Sequence, residues 1–381
     1  MTELEVLPPD SDLFDSIRSI GYSLDTALAD IIDNALGVKS QIIKIEFDSV
    51  GETVAVIDDG AGMEKRELRQ AMRLAGKSTR HERSSNDLGR FGLGLKTASL
   101  SQCKILTVVS KTSAGGLVAA RWDLDLVHEQ GNWALEWLSS YEIDELPHIN
   151  HLRDLPTGTM VLWQCLDVLL SGTGDRNSYL IEQMAHAAEH CALVFHRYLE
   201  GSSSEKVKIL VNGKPLKAID PFMLHNPATQ RKPMEKLDVA GESVEVRAFV
   251  LPHLSKLTRE EREASDFLNS RFIDTQGFYV YRAKRLISFG SWFRIAPRTE
   301  LAKMARVMVD ISPKMDAIWK LGVMKSTLQI PPQLKSKLRS MVPEIVNESK
   351  RVVTKRGAMT KVSGELSAWK IEDVSRDEFN L

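Results

Sequence analysis

At 381 residues, 43% hydrophobic and 27% charged, the chain is long enough for two domains with their own cores and has an ordinary globular composition. A net charge of −1 makes no global demand for a nucleic-acid partner, and Cys103, Cys165 and Cys191 lie too far apart for any zinc spacing, so they read as reduced core residues of a cytoplasmic protein. The start is acidic and contains Pro8-Pro9, unlike a signal peptide, and no apolar run approaches the roughly 20 residues that span a bilayer, so no membrane partner is expected.

In chain order, Leu13, Phe14, Ile17 and Ile20 predict a short helix. Leu24, Ala27, Leu28, Ile31, Ile32 and Ala35 recur at helical spacing and predict an amphipathic helix over 23–37. On it Asp30 and Asn34 stand one turn apart on one face. A carboxylate there polarises a water for attack on a γ-phosphate; an amide oxygen one turn on suits Mg²⁺, which takes oxygen ligands and keeps several waters. A solvated polar face accounts for the same pattern.

Ile42 to Phe47 alternates and is expected to pair, across a turn at Gly51, with the β-branched run Thr53–Ile57. That run stops at Asp58-Asp59-Gly60-Ala61-Gly62, where two glycines let the backbone turn tightly beside a ligand. A carboxylate ending a buried strand accepts a hydrogen bond from an adenine amino group. Guanine would put an oxygen there, and a buried polar group left unpaired costs roughly 1–3 kcal/mol. An ordinary Asp-Gly turn is the plainer account.

Glu64–Ala75 predicts a helix, and Gly76–Asn86 a long polar loop. As a lid this loop would bring Lys77, Ser78, Thr79 and Arg80 against phosphate; as a plain loop it would touch nothing. Gly89, Gly92 and Gly94 flank Phe91 ahead of a helical run through Leu95, Ala98, Ser99 and Leu100. A glycine-rich loop opening a helix presents N–H groups to phosphate, with Lys96 adding charge. The spacing is neither a Walker loop nor a dinucleotide turn, and a plain glycine loop stays open as a reading.

Ile105–Ser110 and Leu117–Trp122 read as strands turning at Ala114-Gly115-Gly116; Trp133, Leu135 and Trp137 alternate as another, and Met160–Gln164 as a further one. Residues 178–199 form an amphipathic helix whose His186 and His190, at i and i+4 without a third ligand, read as surface histidines. Gly201–Ser204 is a linker. Strands then predominate: Lys206–Val211 before the hairpin signal Asn212-Gly213, Val244–Leu251, strand–turn–strand over Gly277–Leu286, and Ala305–Ile311, with a helix over Pro332–Ser349. From Lys256 to Lys361 basic residues outnumber acidic ones about two to one, which is either a basic surface or solvated charge spread over several elements.

Asp-x-x-x-Asn at 30–34, Asp-x-Gly-x-Gly at 58–62 and Gly-x-Phe-Gly-x-Gly-x-Lys at 89–96 resemble the three ATP-site boxes of the GHKL superfamily, which includes gyrase B, heat-shock chaperones, sensor histidine kinases and MutL. Thr157-Gly158-Thr159 opens a strand similar to the one that backs the adenine carboxylate. The version here most resembles the MORC-type branch and its prokaryotic relatives. The resemblance implies an α+β two-layer sandwich of the Bergerat type, a mixed sheet with helices on one face, over residues 1–200. A smaller α+β transducer-like domain over 205–350 and a charged tail over 351–381 would follow.

The resemblance also implies ATP and Mg²⁺ as cofactors. Asp30 would be the general base and Asn34 the Mg²⁺ ligand. Asp58 would bind adenine, with Thr159 helping through a water and Gly60, Gly62 and Met63 shaping the pocket. Lys77, Ser78, Thr79, Gly89, Arg90, Phe91, Gly92, Leu93, Gly94, Leu95 and Lys96 would hold the phosphates. The transducer lysine that reaches the γ-phosphate would be Lys325, for which a surface lysine is an equal account. Most relatives carry Glu where this chain has Asp30, so the water must sit closer or turnover slows; Gly37 stands where relatives often place an acidic residue.

The implied activity is slow, Mg²⁺-dependent ATP hydrolysis by an ATP-dependent homodimer that clamps DNA, with the segment before the first helix crossing to the partner subunit. Kinship adds a restriction-like defence setting and partner proteins from the same operon. The alternatives are a nucleotide-gated binding module with negligible hydrolysis and a chaperone-like protein-remodelling ATPase. A missing phospho-acceptor helix and a missing strand-cleavage domain argue against a histidine kinase and a topoisomerase.

Overall fold

The structure is a computed structural model and describes residues 13–19, 21–73, 94–201, 206–264, 272–316, 318–319 and 328–354. A short helix, Leu13–Arg18 (α1), precedes Leu24–Gly37 (α2), which buries Leu24, Ala27, Leu28, Ile31, Ile32 and Ala35, the residues that give it its period. Ile42–Asp48 (β1) and Thr53–Asp58 (β2) pair antiparallel. Lys65–Met72 (α3) begins at a capping box in which Glu64 and Glu67 satisfy each other's backbone N–H groups. Then come Gly94–Leu100 (α4), Ile105–Lys111 (β3), Leu117–Asp123 (β4), Leu124–Gln130 (α5), Glu136–Trp137 (β5), Ser140–Asp144 (α6), Ile149–Arg153 (α7), Gly158–Gln164 (β6) and Arg176–Val194 (α8). His196–Leu199 (α9) follows a break at Phe195, and Lys208–Val211 (β7) and Lys214–Pro215 (β8) complete the first sheet.

That sheet runs β5-β4-β3-β6-β2-β1-β7-β8, with β1 and β7 parallel and β1 and β2 antiparallel. Strand alternation sorts its faces. Val54, Val56, Val108 and Trp163 face a core shared with α2, α4 and α8, and Ala55, Ile57, Val109 and Leu162 face the other way. The α+β arrangement of mixed sheet and helices is the one the sequence predicts. The reverse face is covered too, by Ile143, Ile149 and Leu152 of α6 and α7.

The boundary expected at residues 200–205 does not separate the sheets. β7 resumes the first sheet beside Ile42–Ile45, because buried Val207 and Ile209 belong to its core. The second sheet begins after β8, with Gln230–Arg231 (β9), Glu235–Val239 (β10), Glu242–Val250 (β11), a helix Arg259–Ala264 (α10), Gly277–Arg282 (β12), Arg285–Ser291 (β13) and Ala305–Ile311 (β14). Its order is β10-β11-β14-β12-β13, with β9 beside β11. The helix Pro332–Thr354 (α11) lays Leu334, Leu338, Val342 and Ile345 on one face, against Val246, Val280 and Val307. On the other face Tyr279, Tyr281, Leu286 and Met308 join the core of the first sheet.

Three smaller expectations change. The strand read at Trp133–Trp137 shrinks to the two residues of β5, and Trp133 sits edge-on to Trp122 instead. Cys103 and Cys191 are buried as expected, but Cys165 is exposed, just past β6 in a left-handed turn with φ +54°. His186 is exposed, while His190 turns inward to Asp25 of α2 at 3.5 Å. Among the described residues no side-chain group suits a metal cage, and no helix is long and apolar enough to cross a membrane.

Candidate nucleotide site

Of the predicted site residues, Lys77, Ser78, Thr79, Gly89, Arg90, Phe91, Gly92, Leu93 and Lys325 lie outside the described residues. The remainder fall along α2 and the ends of the strands beside it.

Asp58 is the last residue of β2. Its Oδ1 accepts hydrogen bonds from the Ser40 hydroxyl at 3.0 Å and the Gly60 N–H at 2.8 Å. Both bonds use one oxygen, which leaves Oδ2 available to a ligand's donor. Burial pushes the carboxyl up to about 6, against the two hydrogen bonds, which favour the charged form. Thr159 stands directly opposite Asp58 in the β2–β6 ladder. Its hydroxyl shares a 2.8 Å hydrogen bond with that of Ser110, which also accepts from the Met63 N–H at 2.8 Å and donates to the Gly158 carbonyl at 3.1 Å.

Two glycines are required here on steric grounds. Gly62 has φ +73°, and a Cβ on it would fall 2.0 Å from the Lys111 carbonyl oxygen. A Cβ on Gly158 would fall 2.1 Å from the Asp58 carbonyl oxygen. The loop and β6 close on Asp58 only without side chains at these positions.

Asp30 occupies the middle of α2 and is buried. The Tyr22 hydroxyl donates to its Oδ2 at 3.2 Å. Burial, joined by the nearby Asp30 charge, raises the Tyr22 phenol to about 12, so it remains a donor across the working pH range. The first residue of α4, Gly94, borders the same oxygen: a Cβ there would lie 3.7 Å from Asp30 Oδ2. Asn34, one turn on, is exposed. Leu95 packs against the first core. Lys96 is buried, donates from Nζ to the Ala71 carbonyl at 2.8 Å near the end of α3, and is lowered to about 8 by burial. It lies beneath the cleft, tied to α3.

These groups fall in a definite order along α2: Asp30, then Asn34, then Val38 and Ser40, which flank Asp58 and Gly60. At 1.5 Å per residue the run from Asp30 to Val38 measures about 12 Å. ATP fits this donor set, with its adenine amino group toward Asp58 Oδ2 and its terminal phosphate toward Asp30. Mg²⁺ fits the oxygen-only donors around Asn34, since that ion is held by one or two protein oxygens together with phosphates.

Sequence reasoning passed over Tyr22, Ser40, Ser110 and Asp33. Ser110 carried a signal, as a polar residue in an apolar strand. Tyr22 carried none beyond its place ahead of α2. Asp33, between Asp30 and Asn34, is fully buried and forms an ion pair of 2.8 Å with Arg285 of β13.

Residues 22–159 match a family described as histidine kinase-, DNA gyrase B-, and HSP90-like ATPase. The chain is similar to the chaperone protein HtpG of Methylococcus capsulatus, 27% identical over 110 residues that make up 26% of this chain and 17% of the chaperone. It is also similar to HtpG of Magnetococcus marinus, 26% identical over 148 residues, 36% of this chain and 22% of the chaperone. The matched stretch is thus a small part of either relative. From Tyr22, which bonds Asp30, to Thr159, which stands opposite Asp58, the chain carries a GHKL-type ATP-binding domain.

Proposed function

We propose that this protein is a Mg²⁺-dependent ATPase of the MORC-type branch, slow in turnover, that works as an ATP-gated dimeric clamp on DNA. The observation that supports the ATPase reading is the order of groups along α2, which sets a buried carboxylate, an amide and an adenine-reading carboxylate in the sequence that terminal phosphate, Mg²⁺ and adenine follow in ATP. Asp58 Oδ2 accepts from the adenine amino group, with Thr159 beside it through a water. Asp30 takes the proton of the attacking water, and Tyr22 fixes which oxygen it presents. Mg²⁺, when bound, neutralises charge on the phosphates. Residues 77–79, 89–93 and Lys325 complete the phosphate shell in this reading, with Lys325 reporting to the second sheet whether the γ-phosphate is present. The shorter Asp30 is the reason to expect slow turnover.

The clamp reading rests on the resemblance and on the excess of basic over acidic residues between Lys256 and Lys361. ATP drives closure only by binding the closed dimer more tightly than the open monomer. Molecular mass in solution tests this, measured without nucleotide, with ADP, and with a non-hydrolysable ATP analogue plus Mg²⁺. The expected result is a dimer with the analogue alone. An unchanged mass in all three, despite tight nucleotide binding, rules out the clamp cycle.

A second reading, protein remodelling, is favoured by the chaperone relatives. DNA affinity that falls steeply with salt supports the first, because each neutralised phosphate releases counterions. Binding to unfolded protein with no such slope supports the second. Operon-encoded partners and a defence setting accompany the first reading only.

A further inference from the structure

The second sheet is fastened to the first domain at the corner between α8 and α9. The Arg197 guanidinium lies 3.5 Å from the centre of the Tyr281 ring and pairs with both oxygens of Asp310 at 2.9 Å. His196 Nε2 and the Tyr281 hydroxyl are 2.8 Å apart, and the Tyr198 hydroxyl donates to the Ala283 carbonyl at 2.6 Å. These contacts hold the β12–β13 hairpin by its turn and by its inward face. Tyr279, Tyr281 and Leu286 sit in the same core as Leu28 and Ile32 of α2, so the joint is packed, with no apolar gap for a hinge.

From this fixed hairpin, Arg285 crosses to α2. It pairs with Asp33 at 2.8 Å, the side chains 7% and 1% exposed, and its guanidinium lies over Phe195. Asp33 shares a helical turn with both groups assigned to the chemistry, three residues after Asp30 and one before Asn34. Its side chain points into the seam between α2, α8 and β13, while Asn34 is exposed. Any rotation or slide of α2 that re-aimed Asp30 would pull Asp33 off Arg285. A buried ion pair is a costly way to glue two units together, since apolar packing there does as well or better. What it supplies is a single register, because a slipped helix would leave a buried charge alone.

We infer that Arg285 is a positioning residue for ATP hydrolysis: through Asp33 it fixes the register of α2, so that the second sheet sets the aim of Asp30 and Asn34. The inference rests on the ATPase reading above. It assigns the second sheet a role in the nucleotide site by way of a residue that touches no nucleotide.

The test is a kinetic split on the full chain. Arg285→Gln is expected to lower kcat by roughly tenfold to a hundredfold, as a misaimed base does, while the affinity for a non-hydrolysable ATP analogue stays within about threefold, because Asp58 and its glycines are untouched. Asp33→Asn combined with Arg285→Gln removes the lone buried charge and is expected to recover part of kcat. If Arg285→Gln does not fold, the double variant and Arg285→Lys carry the test, the latter keeping the charge on a differently shaped head. Should the variants melt at lower temperature yet keep the parental kcat per folded molecule, the pair is glue only and the inference falls. Asp30→Asn separates the two levels: if it leaves turnover intact, the assignment of the base fails whatever Arg285 does. If Asp30→Asn abolishes turnover and Arg285→Gln leaves kcat unchanged, the base stands and the positioning role alone is overturned.

Discussion

The two carboxylates at the ends of the candidate site are held in opposite ways. Asp58 ends a strand in the middle of a sheet, anchored by a backbone N–H and a hydroxyl on one oxygen, with Thr159 across the ladder and two glycines pressed against its surroundings. Asp30 rides on a helix, and the partner that fixes its orientation is the side chain of Tyr22, eight residues upstream. A ligand-reading group can be built into the sheet, where the ladder holds it whatever the helices do. A base aimed at a small target depends on where its helix stands, hence on everything that holds the helix. Damage at the Asp58 end should therefore appear in binding, and damage at the Asp30 end in rate.

The largest expected effect breaks the rate end alone. Asp30→Asn keeps the shape and loses the base, so kcat should fall by about 10²–10⁴-fold, the span that general base catalysis covers. Calorimetry should find ATP affinity nearly unchanged, and phosphate release should be almost gone. The next breaks the binding end. Asp58→Ala removes a charge-assisted hydrogen bond worth about 2–3 kcal/mol, which is roughly 30–150-fold in Kd. The upward shift of melting temperature by the ATP analogue should shrink accordingly. A variant that binds normally would move adenine away from β2.

Much of this contrast was legible beforehand, and the rest was hidden for physical reasons. α2 announces itself through six apolar residues at helical spacing, and the β1–β2 hairpin through alternation; both come out close to their expected bounds. The helices α5 to α7 do not, because runs of five to seven residues span two turns at most and give no readable period. The boundary at Gly201–Ser204 was misplaced because a flexible composition marks a loop, and a strand after a loop can return to the sheet it left, as β7 does beside β1. His190 had the spacing of a surface residue, and only the packing of α8 on α2 turns it toward Asp25. Asp33 lies inside the most informative motif in the chain, yet nothing local names its partner, which sits on the far sheet. Local pattern gives elements and motif chemistry; pairings between distant elements come from packing alone.

A smaller change sharpens the comparison by touching the orientation of Asp30 without touching Asp30. Tyr22→Phe keeps the ring in its buried site and removes the hydroxyl that donates to Oδ2. One such bond to a charged acceptor lets kcat fall by roughly tenfold, with KM little moved. Equal losses in kcat and in analogue binding would mean that Tyr22 supports the pocket as a whole.

The smallest effect is a pH slope, and it belongs to the binding end. Burial raises Asp58 to about 6, and the charged form is the one that accepts from adenine, since a proton on Oδ2 would turn that oxygen into a donor. Affinity for ATP should therefore hold above pH 7 and decline as pH falls through 6. The charged fraction of a group titrating there drops about fourfold between pH 7 and 5.5. The terminal phosphate of ATP titrates in a similar range, near pH 6, so the slope has to be read as a difference. Asp58→Asn binds more weakly but cannot titrate, and whatever slope it retains comes from the nucleotide. Tyr22→Phe should keep the full parental slope, because the phenol it lacks titrates near 12 and is protonated throughout. If Asp58→Asn and the parent fall in parallel, adenine is not read by a titrating carboxylate, and the division of labour between the strand end and the helix has to be redrawn from the strand end.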